Sequence, residues 1–186
     1  MAQQSIHTGF PAPPWRDSFQ GPDGKITYSW SQWLKAVTAV LGTANESRLI
    51  FPANFTTASA TPVSTNFGIG PVQSVYTNSF SITGCIQLQT DTANKSAYVK
   101  LWRSIIGIPV AGNAPVAGDK ELTVLGAPIS VANASLFLNL NYLDKNIASA
   151  RYFYYLTLEA PLGGTAKLLG DGVNYFLGGI NLDENY

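Results

Sequence analysis

Ala134-Ser-Leu-Phe-Leu-Asn-Leu-Asn-Tyr-Leu143 and Ala150-Arg-Tyr-Phe-Tyr-Tyr-Leu-Thr-Leu-Glu-Ala160 decide the fold. In the first stretch Leu136, Leu138, Leu140 and Tyr142 share one parity, while Ser135, Asn139 and Asn141 share the other. In the second, Tyr152, Tyr154, Leu156 and Leu158 oppose Arg151, Thr157 and Glu159. Period-two alternation marks a strand with one face against a core. Two such strands, separated by a turn of Asp144, Lys145 and Asn146, read as half of a β-sandwich.

Similar signals recur on both sides of this pair. Ser81 to Gln89 places Ile82, Ile86 and Leu88 on one face, and Ala97 to Ile106 places Val99, Leu101 and Ile105 opposite Lys100 and Ser104. A Gly, Pro, Asn and Ala loop over 107–118 leads to Glu121 to Ala127 and then Ile129 to Val131. The chain closes with Thr165 to Leu169, Asp171-Gly172, and Tyr175 to Leu182. Asp-Gly between apolar strands is a hairpin signal. With Val72 to Tyr76, the count is about eight or nine short antiparallel strands, which predicts an all-β, jelly-roll-like β-sandwich head over 71–186.

The N-terminal part reads differently. Pro11, Pro13, Pro14, Pro22 and the Gly21-Pro-Asp-Gly24 turn disfavour helix up to about residue 28. The segment nevertheless carries Phe10, Trp15 and Phe19, aromatics that an extended arm cannot bury by itself. A short helix is predicted next, with Ser29 and Gln32 spaced as a capping box and Gly42 as its C-terminal cap. Trp30, Leu34, Val37 and Leu41 recur at the spacing of a coiled-coil seam, widened by Trp33 and Val40. A helix of this length is marginal alone in water and must lie against something. Residues 1–45 are thus expected to be an arm plus helix, and 46–70 a linker with one or two edge strands marked by Leu49-Ile50-Phe51 and Phe67.

Composition narrows the function. Charged residues make up 12% of the 186, about half the roughly 25% usual for soluble domains. So little charge suits either a neutral domain or a surface packed against other copies. Eleven basic residues cancel eleven acidic ones with no run of either sign, so the electrostatic footprint of a nucleic-acid binder is missing. Cys85 is the one cysteine, which excludes an intrachain disulfide and a cysteine-based metal site. It is expected as a small core or interface residue. The opening residues lack a basic and apolar leader pattern and no stretch approaches a membrane span, so neither secretion nor a membrane partner is expected. On that expectation the sequons at Asn45, Asn54, Asn94 and Asn133 carry no glycosylation meaning.

The inventory offers little chemistry. His7 is the one histidine, so a catalytic triad or zinc site has too few members. No nucleophile elbow, P-loop or dinucleotide fingerprint occurs. Carboxylates that meet in space can cleave glycosides, but Asp119, Glu121, Asp144, Glu159, Asp171, Asp183 and Glu184 fall mostly at predicted turns, where solvated charge is the default. Asp171 with Asn174 falls short of the six to eight oxygens calcium takes. No enzyme, cofactor or metal is expected. On the Tyr-rich strand, Phe153 and Tyr155 lie on the parity away from the core and are expected to meet a subunit partner, with a stacked sugar as the lesser reading.

Pro13-Pro-Trp-Arg-Asp-Ser-Phe-Gln-Gly-Pro-Asp-Gly-Lys-Ile-Thr-Tyr-Ser-Trp-Ser-Gln-Trp-Leu34 resembles an opening found in small structural proteins of tailed bacteriophages. In those proteins a Pro-Trp arm, an Asp/Asn-Gly turn and a Trp-x-x-Trp/Phe helix attach the protein to the virion. The C-terminal portion is similar in pattern to the trimeric jelly-roll heads of the tumour-necrosis-factor and C1q type, where a Tyr-rich strand like Ala150 to Glu159 lies near the threefold axis. The resemblance implies a homotrimer in a virion, with Trp15, Phe19, Trp30, Trp33, Leu34 and Val37 anchoring and joining subunits and Phe153 and Tyr155 at the head interface. Implied partners are further copies of the chain and a major capsid, tail or baseplate protein. With no repeat shaft, a decoration or cement role is favoured over a short fibre or spike touching host glycans. The reading from another class is a stand-alone lectin-like or C1q-like binding module.

Overall fold

The computed structural model of the chain describes residues 14, 16, 18–21, 25–34, 47–73, 79–145, 147–148 and 150–182. Two compact units are present, Met1–Asn45 with Asn185–Tyr186, and Glu46–Glu184. The second unit contains ten strand segments: β1 (Ser47–Ile50), β2 (Phe55–Thr57), β3 (Val63–Gln73), β4 (Ser79–Thr90), β5 (Lys95–Ser104), β6 (Lys120–Ile129), β7 (Leu136–Lys145), β8 (Arg151–Glu159), β9 (Ala166–Leu168) and β10 (Phe176–Leu182). All pairings are antiparallel.

Register shows how ten segments make eight strand lines. Phe176 pairs Cys85 and Leu182 pairs Ser79, while Leu168 pairs Leu88 and Ala166 pairs Thr90. The β9 and β10 segments are therefore collinear along one side of β4. In the same way β1 runs along β10 and β2 along β9. One layer reads β1/β2, β10/β9, β4, β7, and the other β3, β8, β5, β6. Most connections cross between the layers, and only β5 to β6 closes a hairpin within one. This is the winding of an eight-stranded jelly roll.

Three expectations need correction. The strands that decide the fold are not neighbours: β7 pairs β4 and β8 sits between β3 and β5, so the link between them crosses the sandwich. The supposed turn residues Asp144 and Lys145 belong to β7. Asp171-Gly172 makes no hairpin; it lies in a loop that leaves the sheet after β9 and returns as β10 on the same line. The interruption of β1/β2 at 51–54 locks into that loop. Phe51 N–H donates to the Tyr175 carbonyl at 2.8 Å, and the Phe51 carbonyl accepts from Gly172 N–H at 2.9 Å. Gly170 is required there, because a Cβ would lie 2.3 Å from the Ala53 carbonyl oxygen. The edge strand β3 begins at Val63 and carries Phe67, within the stretch read as linker with edge strands.

The core follows the alternation. Phe80, Ile82, Ile86 and Leu88 of β4 meet Val99 and Leu101 of β5 and Tyr154, Leu156 and Leu158 of β8. At one end the inward parity carries charge. Arg103 Nη1 donates to Asp144 Oδ2 at 2.7 Å, and the Tyr154 hydroxyl donates to the same oxygen at 3.1 Å. Asp144, expected in a solvated turn, is 3% exposed. The Arg103 guanidinium also lies over the Tyr152 ring at 5.0 Å, and Tyr154 stacks on Phe80 at 4.9 Å. Arg103 and Tyr154 come from one sheet and Asp144 and Phe80 from the other.

Removing one partner of a buried ion pair leaves an uncompensated charge and costs about 3 to 5 kcal/mol. Asp144→Ala should lose stability on that scale in urea unfolding. The double change Arg103→Met with Asp144→Leu should recover much of the loss; a double variant as unstable as Asp144→Ala would show that the charge is not what matters.

Candidate functional site

In the N-terminal unit, a small turn brings the chain back on itself. Gln20 and Ile26 form an isolated bridge, Thr27 N–H donates to Phe19 O at 3.0 Å, and Gly21 N–H donates to Lys25 O at 2.8 Å. A helical stretch, α1 (28–34), follows. Its first bond runs from Ser31 N–H to Thr27 O at 2.9 Å. Thr27 is therefore the capping residue and Ser29 lies inside the first turn, a correction to the expected capping box. Phe19 meets Trp30 edge-on at 5.4 Å, and Trp30 meets Trp33 edge-on at 5.4 Å. Such T-shaped contacts are favoured aromatic geometry. Of the residues expected to anchor the protein, the fold gathers Phe19, Trp30 and Trp33 in one row, with Leu34 on the same helical stretch; Trp15 and Val37 lie outside the described residues. Phe19 stays 48% exposed and Tyr28 80%.

On the head, Phe153 and Tyr155 lie on the outer face of the β3-β8-β5-β6 sheet, as their parity requires. What covers Tyr155 differs from expectation. It is fully buried by its own chain, not left for a partner subunit. The β5–β6 loop, 105–119, folds over it: the Tyr155 hydroxyl donates to Asp119 Oδ2 at 2.7 Å, and Trp102 stacks beside it at 6.5 Å. The loop is also fastened to β3. Ser64 N–H donates to Asn113 O at 2.7 Å, Gly112 N–H to Ser64 O at 2.8 Å, and Ser64 Oγ to Pro109 O at 2.8 Å. Ile108 fills the place of a side chain at Gly68, where a Cβ would lie 2.7 Å from Ile108 Cδ1. Phe153 is half-buried.

The rest of that outer face is a polar row that sequence reading missed. Lys100 Nζ lies 3.4 Å from Glu121 Oε2 and 3.3 Å from Glu159 Oε1, and Trp102 Nε1 donates to Thr157 Oγ1 at 2.9 Å. Tyr98 and Trp102 share the outward parity of β5 with Lys100. The glutamates are paired with lysine, which is the arrangement of a structural ion-pair ladder.

Elsewhere the acidic residues among those described are engaged. Asp171 Oδ1 accepts from Asn174 N–H at 2.7 Å and Val173 N–H at 2.9 Å, which holds its carboxyl at about 2. Asn174 Nδ2 donates to Asp171 Oδ2 at 2.6 Å, which closes the turn that this pair makes. Among the described residues no group of three His, Cys, Asp or Glu gathers, and no helix is long and apolar enough to cross a membrane. Cys85 points outward from β4, between Phe176 of β10 and Asn139 of β7.

No protein-family profile matches the chain, and no characterised protein matches it by sequence. Among solved structures it is similar to the Eiger TNF of S. frugiperda, at 10% identity and a TM-score of 0.49, over 76% of this chain and 94% of that one. It is also similar to a protein in the structure of infectious bursal disease virus strain Gx, at 13% identity and a TM-score of 0.45, over 76% of this chain and 33% of that one. The VP2 subviral particle of that virus gives 11% identity and a TM-score of 0.37, over 74% and 37%. This chain thus spans about a third of the viral chains. At such identities nothing about ligand or assembly passes from these proteins to it.

Burial, and then Asp144 for Tyr154 and Asp119 for Tyr155, push both phenols above their ordinary value of 10.0. A raised folded value means that the neutral forms stabilise the fold fully below pH 10.0 and that this is lost as pH rises through the folded values. Native protein titrated upward should therefore show the tyrosinate absorbance of these two rings only together with unfolding. Tyr155→Phe should cost about 1 kcal/mol and speed hydrogen exchange at the Ser64 amide, where the loop is fastened. Unchanged exchange there would separate the hydroxyl from the loop.

Proposed function

We propose that the protein is a non-catalytic structural component of a tailed-phage virion, a homotrimer acting as a capsid decoration or cement protein. The observation that carries this reading is the row Phe19, Trp30, Trp33, built by a turn and one helical stretch in a unit distinct from the head. Aromatics packed edge to edge and left partly exposed on so small a unit are what an interface uses: large contact area at low entropic cost. The jelly-roll head supports the same reading, because the outward carboxylates among its described residues are tied in ion pairs and turns. The partners proposed are further copies of the chain and the capsid surface, with the N-terminal unit as the attachment point.

One observation favours a second reading. Tyr98 and Trp102 share the outer parity of β5 with Lys100, whose ion pairs hold Glu121 and Glu159. Aromatic rings beside hydrogen-bonding groups can hold a sugar, as a short fibre touching host glycans would need. Saturable binding on a glycan array, lost in Trp102→Ala, would favour that role over decoration.

Light scattering on the full chain at micromolar concentration should give a mass near three times 19.9 kDa. Deleting residues 1–28 should abolish incorporation into particles while leaving the head folded. Full occupancy by the truncated protein would remove the anchor role.

A further inference from the structure

Four strand lines end the two sheets, and three of them carry devices that prevent another strand from adding. The β3 edge has two register shifts, Pro71, and the 105–119 loop bonded to Ser64. The β6 edge has a register shift opposite Leu101 and Trp102, Pro128, and the charged pair Lys120 and Glu121. The β1/β2 line is broken into four and three residues and carries Arg48. Bulges, prolines, charge, short segments and covering loops are the usual ways of protecting an edge.

The fourth edge, β7, has none of these over 136–143. Its ten residues pair with β4 in unbroken register from Leu136 with Leu88 to Lys145 with Ser79. It contains no proline, and no charge precedes Asp144. Among the described residues no backbone hydrogen bond beyond the β4 ladder reaches it. Phe137 is 67% exposed and Leu143 38%, while Leu136, Leu138 and Tyr142, on the core parity, remain only half-buried.

We propose that β7 is the pairing edge for a second copy of this chain, joined antiparallel about a two-fold axis perpendicular to the sheet. The strand's own sequence favours this occupant. Centred on Leu140, antiparallel self-pairing sets Phe137 opposite the partner's Leu143, Asn139 opposite the partner's Asn141, and Leu138 opposite the partner's Tyr142. Each pairing occurs twice, and each matches apolar with apolar or amide with amide. Asp144 falls opposite Leu136, so no like charges meet across the seam; cross-strand pairs of this kind are what stabilise a sheet. The two four-line layers become one continuous eight-line sheet.

Three full-length proteins test it by sedimentation across a concentration series, with hydrogen exchange on β7. The unmodified chain should show a mass step of at least twofold with rising concentration, and the β7 amides that point away from β4 should become protected in step. Asn139→Lys with Asn141→Lys places lysine opposite lysine twice and should remove both effects. Asn139→Lys with Asn141→Asp pairs opposite charges across the same axis and should restore them. Both positions are exposed, and an unchanged far-ultraviolet spectrum shows that the head is intact. Equal masses for the unmodified and double-lysine chains, or outward β7 amides unprotected at every concentration, would overturn the proposal. So would failure of the Lys/Asp chain to recover, which would mean that any association uses another surface.

Discussion

The contact on which the sandwich depends is the charged cluster at one end of its core. Arg103 from β5, Asp144 from β7 and Tyr154 from β8 share one carboxylate oxygen between the sheets. Apolar side chains hold two layers together but leave their relative slide weakly defined, since one leucine packs much like another. A buried carboxylate is less permissive: it must sit where both donors reach it or bear the cost of an unpaired charge. The stacked pair Phe80 and Tyr154 then brings β4 into the same alignment. Specificity, more than net stabilisation, is what such a pair offers in this setting.

Given that alignment, the two collinear strand lines become intelligible. Both are interrupted at the same level, at 51–54 and 169–175, and the interruptions bond to each other instead of to water. Phe51 is fully buried in this region and stacks on Phe67 of β3 at 4.7 Å. Tyr175 reaches across to Gln87 through its hydroxyl. A break in a single strand would leave backbone groups unpaired, whereas two breaks in register satisfy one another.

Much of this was legible in the chain and some was not. Alternation identified β4, β5, β7 and β8 and their core faces, because the inward parity of each is mainly apolar. The same rule contained an unused signal: Arg103 continues the inward parity of Val99 and Leu101, and Asp144 that of Leu140 and Tyr142. A charge on a core parity requires a partner, and these two are each other's. Pairing order was not legible, since alternation gives a strand's face but not its neighbour, and Asp171-Gly172 has the same chemistry in a looped-out segment as in a hairpin. Burial of Tyr155 was hidden for a different reason. Its cover comes from a Gly- and Pro-rich loop whose path depends on the Ser64 and Asp119 contacts, which lie far from it in sequence.

The lock at Phe51 bears on how the head carries tension. Any pull arriving along the chain from the N-terminal side enters at Ser47, and β1 lies antiparallel to β10, so its four pairs would open one at a time, beginning at Gly179. Unzipping of this kind needs little force. It reaches Phe51 next, where two backbone bonds and a buried ring must yield together. The head is therefore fitted with a short yielding lead followed by a stop, and tension is taken up at the interlocked loops before it reaches β4.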